Sequence, residues 1–138
     1  MNLRKRRLIP IFLAACAVLL AACIGIQCWY QANYLSIDGL RCRRDTQTLD
    51  LSGGPVEQWQ RLTEFTALED LDLRGTGLTP AQYDILQEAL PECSIHWDVL
   101  FQDHYYPNDT QTITLSHISQ EELELLDYFP QLATVNAV

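Results

Sequence analysis

Three histidines and two aspartates carry the most specific chemistry that this sequence could offer. His96, His104 and His117 have Asp98 and Asp103 near them, and imidazole nitrogens and carboxylate oxygens are common ligands of zinc and similar ions. Known ligand motifs place two histidines four residues apart on a helix, or separate two ligands by two residues in a turn. None of the five residues has such a partner, so we predict no metal site and no cofactor.

The sequence also lacks the usual motifs of nucleophilic catalysis and nucleotide binding. The sequence contains no GxSxG elbow, no P-loop and no glycine-rich nucleotide fingerprint. Its densest glycine cluster, Ser52-Gly53-Gly54-Pro55, fits a turn between a strand and a helix. We therefore predict no catalytic residues and a function other than that of an enzyme.

The five cysteines fall into two groups. Cys42 and Cys93 lie outside the N-terminal apolar segment. Export would permit a disulfide between them, and a buried free thiol at Cys93 is an equally ordinary alternative. Asn108-Asp109-Thr110 is a glycosylation triplet. The remaining cysteines lie in or beside the apolar segment, namely Cys16, Cys23 and Cys28.

That apolar segment predicts a membrane-spanning helix. Residues 8–26 form an unbroken run without a charge, and a helix of that length, rising about 1.5 Å per residue, covers roughly the 30 Å hydrocarbon core of a bilayer. Basic residues precede it at positions 4–7 and should stay in the cytoplasm. Interfacial aromatics follow it, namely Trp29, Tyr30 and Tyr34. We predict a single-pass protein of the cell membrane with its C-terminal part outside.

Two other forms of export remain open. A cleavable secretory signal has a shorter apolar part of about 7 to 15 residues. Leu20-Ala21-Ala22-Cys23 resembles a bacterial lipoprotein lipobox, which would make Cys23 a lipidation site. With an uncleaved anchor, we predict a cytoplasmic basic tail at residues 1–7, a transmembrane signal-anchor helix at 8–30, a juxtamembrane linker at 31–44 and an outer domain at 45–138.

The outer domain is strongly acidic. It contains all of the chain's 18 aspartates and glutamates except Asp38, and only Arg61 and Arg74 oppose them, so 17 negative and two positive charges give a net charge of −15. Because nucleic-acid affinity comes mainly from lysine and arginine neutralising phosphates, we exclude nucleic acid as a partner.

Within the outer domain the sequence contains a long repeat. Residues 46–52 (TQTLDLS) recur as 110–116 (TQTITLS). The same offset joins further apolar residues without a gap, namely Leu62 with Leu126, Phe65 with Phe129, Leu68 with Leu132, and Leu71 with Val135.

A shorter period lies inside the long repeat. Residues 68–78 have the spacing LxxLxLxxTxL, which resembles the leucine-rich repeat, with Thr76 where that family commonly has Asn or Cys. Apolar pairs recur at a constant offset that falls within the period of about 20 to 29 residues of such repeats. They are Leu49/Leu51, Leu71/Leu73 and Cys93/Ile95, and Ile113/Leu115 and Val135/Ala137 continue the series. The resemblance implies an α/β fold: a short leucine-rich-repeat solenoid preceded by one N-terminal transmembrane helix.

The residues between the apolar pairs predict how these repeats are built. Thr79 with Gln82, and Ser119 with Glu122, fit the capping box that begins a helix. Pro91 and Pro130 should end the two helices. Their apolar stripes are predicted at Tyr83, Leu86 and Leu90, and at Leu123, Leu126 and Phe129. Residues 98–109 should form a strand, a loop and a strand instead of a helix.

The resemblance also indicates where a ligand would bind. Residues between the apolar strand positions of a leucine-rich repeat face its concave side, which the family typically uses to bind proteins or glycans. By register these are Thr48, Asp50, Asp70, Asp72, Thr112, Thr114 and Asn136.

Three functions are consistent with this surface. The first is a membrane-anchored binding module for a protein or glycan, whose identity the sequence leaves open. The second is a structural scaffold or lipoprotein of the cell envelope. The third is the N-terminal repeat region of a larger exported enzyme, because no polar closing element caps the repeats before Val138, as expected of a partial reading frame.

Overall fold

The structure, a computed structural model, describes residues 3–137, with side chains from residue 8 to residue 136. Part of the predicted basic tail therefore lies outside the described residues. The chain divides into two units, Met1–Leu35 and Ser36–Val138.

The first unit is dominated by one long helix. Helix α1 (Leu3–Asn33) has 31 residues and contains the predicted segment 8–30. From Leu8 to Asn33 it is long and apolar enough to cross a membrane, and its apolar side chains are exposed. The prediction of a helix with the length and composition of a membrane span is confirmed. Within the predicted linker 31–44, α1 ends and two short strands follow. They are β1 (Tyr34–Ile37), which spans the boundary between the units, and β2 (Leu40–Arg43), which belongs to the second unit.

The second unit is a mixed α/β region with small sheets. Two stretches of 3-10 helix, Trp59–Glu64 and Leu126–Tyr128, accompany its helices. The strands are β3 (Thr48–Asp50), β4 (Asp70–Asp72), β5 (Ser94–His96), β6 (Asp98–Phe101), β7 (His104–Pro107), β8 (Thr112–Leu115) and β9 (Thr134–Ala137), and the helices are α2 (Pro80–Ala89) and α3 (Gln120–Leu125).

Strands β3, β4 and β5 form a parallel three-stranded sheet. Its central residues Leu49, Leu71 and Ile95 are paired across the sheet and buried. Their chain neighbours point to the opposite face, because successive side chains of a strand alternate between faces. The predicted half-buried strands are confirmed.

The step from β4 to β5 differs from the predicted register. Leu71 pairs with Ile95 and not with Cys93, which precedes Ile95 by two positions. Cys93 is buried immediately before the strand, where its backbone N–H donates to the Leu90 carbonyl. The apolar face was still assigned correctly, because a shift of two positions leaves every side chain on the same side of a strand.

The second copy of the long repeat reproduces the backbone of the first. Parallel strands β8 and β9 pair at the same sequence offset as β3 and β4. Backbone hydrogen bonds also recur at equivalent positions: Glu69 donates to the Gln47 carbonyl at 2.7 Å and Ala133 to that of Gln111 at 2.8 Å, while Leu68 donates to Phe65 and Leu132 to Phe129, both at 3.1 Å.

Both predicted capping boxes are present. Thr79 begins α2 by exchanging hydrogen bonds with Gln82, and Ser119 begins α3 in the same way with Glu122. The predicted stripe of α2 is buried at Leu86 and Leu90 and half-buried at Tyr83.

The predicted stripe of α3 is wrong at Leu123. Phe129 is buried and Leu126 half-buried, but Leu123 is 46% exposed. Helix α3 ends at Leu125 and the chain continues as 3-10 helix, which has about three residues per turn where an α-helix has about 3.6. A stripe predicted with the α-helical period along the whole segment therefore does not stay on the buried side of both helices.

Residues 98–109 form the predicted strand, loop and strand. Strands β6 and β7 are antiparallel, and Phe101 pairs with His104 across a two-residue turn. Both turn residues, Gln102 and Asp103, have positive φ angles of 48° and 61°. Positive φ at both positions is typical of the type I′ turn, whose twist matches that of the paired strands.

An aromatic cluster joins elements from different repeats. Tyr83 of α2 stacks on the fully buried Trp97 with ring centroids 4.8 Å apart, and Tyr128 packs edge-on against Trp97 at 5.6 Å. The Tyr128 hydroxyl also donates to the Asp84 carboxylate at 2.9 Å. The cluster connects the first copy of the long repeat to the helical segment of the second.

Candidate binding surface

The outward face of the sheet β3–β5 carries two polar rows. Thr48, Asp70 and Ser94 are paired across the strands, and so are Asp50, Asp72 and His96. We call these six residues the polar strip. All are exposed except Asp72 and His96, which are half-buried. The four predicted residues on these strands are therefore brought together on one face.

The other three predicted residues lie in a separate sheet. Thr112 pairs with Thr134, and Thr114 pairs with Asn136, between β8 and β9. All four side chains are exposed. The seven predicted residues thus form two groups on two sheets.

The sequence prediction missed Ser94, His96 and Thr134 at these surfaces. The assumed constant offset aligned Cys93 and Ile95 with Leu71 and Leu73, which placed Ser94 opposite Asp72 instead of Asp70 and left His96 outside the strand. Thr134 was overlooked although it follows Thr112 at the offset that separates Asp70 from Thr48. Alternation within each strand was the signal that could have found all three.

Hydrogen bonds keep two strip carboxylates ionised. The Arg74 guanidinium donates from Nε to both Asp72 oxygens, at 3.0 and 3.1 Å, and also from its NH2 group. These side-chain bonds lower the pKa of Asp72 and raise that of Arg74. The Ser52 hydroxyl and backbone N–H donate to Asp50 at 2.7 and 2.9 Å and lower its pKa. Negative charge is thereby retained on the row that joins β3 and β4.

A third carboxylate meets a histidine across the sheet. His96 Nε2 lies 3.3 Å from an Asp70 oxygen. This contact crosses diagonally between the two rows of the polar strip. The strip therefore carries imidazole and hydroxyl groups as well as carboxylates, and the Arg74 guanidinium lies beside it.

The side chain of Asn108, the first residue of the glycosylation triplet, forms hydrogen bonds within the folded region. Its side chain is 9% exposed, donates to the Ile95 carbonyl at 2.9 Å and accepts from the Trp97 backbone N–H at 3.3 Å. Both the nitrogen and the oxygen of the amide therefore form hydrogen bonds, and these connect the base of the hairpin β6–β7 to the end of β5. A glycan on this nitrogen is incompatible with the folded arrangement.

The cysteines outside the helix are free thiols. Cys93 is buried, and burial raises its pKa to about 11. Cys42 is half-buried, and burial raises its pKa as well. Among residues 3–137, no group of three or more His, Cys, Asp or Glu side chains is arranged to hold a metal ion.

Comparison with known proteins gives no match to any family model, curated protein or solved structure. Function must therefore be inferred from the residues and their geometry.

Proposed function

We propose that this protein is a membrane-anchored leucine-rich-repeat protein that presents its polar strip to a protein or glycan outside the membrane. One observation carries the proposal: six polar side chains lie in two paired rows on one face of a sheet whose other face is buried. The buried face holds the strands in register, and the polar face remains available to a partner. No catalytic residue is assigned.

The leucine-rich-repeat part of the proposal is supported by spacing and turns. The strands are parallel, and the intervals between their first residues, Thr48, Asp70 and Ser94, fall within the period of about 20 to 29 residues of such repeats. Gly53 and Gly75 follow β3 and β4 at equivalent positions with φ angles of 85° and 72°. A Cβ on Gly75 would lie 3.4 Å from the Gly53 backbone, so the stacked turns favour glycine by both conformation and space.

The outward orientation is supported by the basic start of α1, and the aromatic residues at its other end mark where the helix leaves the membrane. Basic residues 4–7 precede the apolar segment, and basic residues are retained on the cytoplasmic side. At the other end Tyr30 and Tyr34 stack at 4.6 Å, with Trp29 edge-on to Tyr34 at 6.4 Å. Amphipathic rings of this kind are enriched where a helix leaves the membrane.

Orientation and anchor type can be tested together by expressing the full chain in a bacterial host. We expect the membrane fraction to contain the chain at full mass, and protease added to cells stripped of their outer wall to remove the acidic region. A product starting at Cys23 with added lipid mass, abolished by Cys23→Ala but not by Cys16→Ala, would establish a lipoprotein. A protected acidic region would place the binding surface in the cytoplasm.

Binding through the polar strip can be tested by photo-crosslinking in the native membrane. A photoreactive residue at Thr48, on the exposed strip, should give a discrete adduct. The same residue at Glu88, which is exposed on α2 and is not part of the polar strip, should give none.

A charge-matched pair of variants decides whether the adduct depends on the strip. Asp50→Asn with Asp72→Asn should reduce the Thr48 adduct about tenfold, whereas Glu57→Gln with Glu92→Gln removes the same charge elsewhere and should leave it unchanged. Adducts at both photoreactive positions, or at neither, would contradict the proposal and favour an envelope scaffold.

A further inference from the structure

A second polar site lies at the other end of the hairpin. The tip of β6–β7 and the connection from β8 to α3 border an open cleft of about 790 Å³, within the range of about 300 to 1,000 Å³ that is usual for ligand sites. Thr114 of β8 lines the cleft, so the polar face of the second sheet leads into it. We propose that this cleft binds a neutral glycan, an inference that rests on the proposed binding function and deepens it.

The lining excludes two broad classes of ligand. Ile118 is the one aliphatic side chain among the lining residues, which argues against an apolar ligand. No lysine or arginine lines the cleft within the described residues, while Asp103 and Glu122 contribute carboxylates. Phosphates and other anions would lose their hydration without gaining a fixed positive partner.

The available hydrogen-bonding groups suit vicinal hydroxyls. His104 Nδ1 lies 2.9 Å from the Gln102 carbonyl, and His117 Nδ1 bonds the Ser116 carbonyl. Because a carbonyl oxygen only accepts, Nδ1 is the donor in both contacts, which leaves Nε2 of each ring for a ligand. Glu122 is already bonded to the Ser119 backbone N–H at 2.6 Å. The Asp103 carboxylate, the two Nε2 atoms and the Thr114 and Ser116 hydroxyls remain for a ligand.

An aromatic face completes the site. Tyr106 and His104 lie on the same side of β7, with ring centroids 6.5 Å apart and planes inclined by 43°. The rings are not stacked on each other, so a ring face is left for the C–H surface of a sugar. Tyr105 lies between them in sequence, points to the other side of the strand, is 61% exposed and does not line the cleft. It is therefore a matched control for Tyr106.

The hairpin that forms the cleft is also where the repeat is broken. Ile95 and Ile113 lie closer together in sequence than Leu49 and Leu71 or Leu71 and Ile95, and β6 and β7 occupy the place of a helix. The cleft therefore lies at the one step between these four strands where a hairpin replaces the expected helix.

The test is saturation-transfer NMR on the full-length protein in micelles of a zwitterionic detergent, because sugar-headed detergents would compete. The probes are cellohexaose, fully N-acetylated chitohexaose and mannohexaose, with hexalysine as a cationic comparator. Inorganic phosphate, which has no carbon-bound protons to receive saturation, is followed by the width of its phosphorus-31 line. We expect at least one hexasaccharide to bind and phosphate not to bind. Tyr106→Ala and His117→Ala should weaken that binding about tenfold or more, whereas Tyr105→Ala should not.

Thr114→Val removes one hydroxyl while keeping the side-chain shape, and it should weaken binding without altering the thermal transition. It therefore separates lost ligand contacts from lost structure if Tyr106→Ala is unstable. Absence of hexasaccharide binding, or binding of hexalysine alone, would overturn the glycan site. Hexasaccharide binding that responds to Asp50→Asn with Asp72→Asn and not to the cleft variants would also overturn it, while leaving the proposed function intact. Absence of the Thr48 adduct from the otherwise unchanged chain, with hexasaccharide binding retained, would instead refute the role of the strip.

Discussion

Leu71→Asp is expected to abolish the cooperative unfolding transition of the region that follows α1. Leu71 is fully buried at the centre of β4, paired with Leu49 on one side and Ile95 on the other. The substitution removes an apolar contact from both neighbours and places a carboxylate where no partner can neutralise it. The loss should be about 4 kcal/mol or more, which is comparable with the total stability of many domains, about 5 to 15 kcal/mol. Near-ultraviolet circular dichroism of the full chain in micelles measures it, because α1 dominates the far-ultraviolet signal.

Asp72→Ala is the matched control for Leu71→Asp. Asp72 is the next residue of the same strand, and its side chain points to the polar face, where Arg74 covers part of it. We expect the transition to be retained. Because Arg74 lowers the pKa of Asp72 in the folded chain, the stabilisation by this carboxylate is present at neutral pH and is lost as the pH falls through its folded pKa. The small difference between wild type and Asp72→Ala should therefore shrink in acid. Equal losses for Leu71→Asp and Asp72→Ala would show that the inside and outside of the sheet are wrongly assigned.

Trp97→Ala should destabilise the same region by about 3 to 5 kcal/mol, the usual cost of deleting a large buried aromatic side chain. Trp97 is fully buried, and its ring contacts Tyr83 and Tyr128, so its removal leaves a cavity between elements of two repeats. For a region of about 100 residues this corresponds to a melting temperature lower by roughly 15 to 30 °C. Thermal unfolding followed by near-ultraviolet circular dichroism measures the change.

Trp97→Phe tests whether ring volume or polarity dominates at this position. The Trp97 Nε1 atom has no hydrogen-bond partner among the described residues, and an unpaired buried donor costs about 1 to 3 kcal/mol. Phenylalanine removes that donor while filling part of the cavity, so Trp97→Phe should be much less destabilising than Trp97→Ala. Tyr105→Ala, at an exposed ring of the hairpin, should change the melting temperature little. If Trp97→Ala behaved like Tyr105→Ala, the aromatic cluster would not join the repeats.

Local features followed from the sequence because neighbouring residues determine them. The uncharged run of residues 8–26 has one stable form in an apolar environment, a helix that satisfies its own backbone. Thr79 and Ser119 begin helices because a hydroxyl and the side chain three residues later satisfy each other's backbone N–H groups. Alternation of leucine with aspartate likewise assigned Leu49 and Leu71 to the buried face before any partner strand was known.

Tertiary structure alone decided the features that depend on pairing between distant segments. Paired residues of β4 and β5 lie farther apart in sequence than those of β3 and β4, and this spacing brings Ser94 and His96 into the polar strip. It depends on the backbone hydrogen bonds that form between β4 and β5. Asn108 has a structural role because its side-chain amide forms hydrogen bonds with the backbone of both Ile95 and Trp97, which lie earlier in the chain. The cleft beside Thr114 exists because the hairpin tip is positioned against the segment after β8. Sequence spacing encodes which face of an element is apolar, but relative register and the sites between elements arise only when the whole set of backbone and packing contacts is satisfied at once.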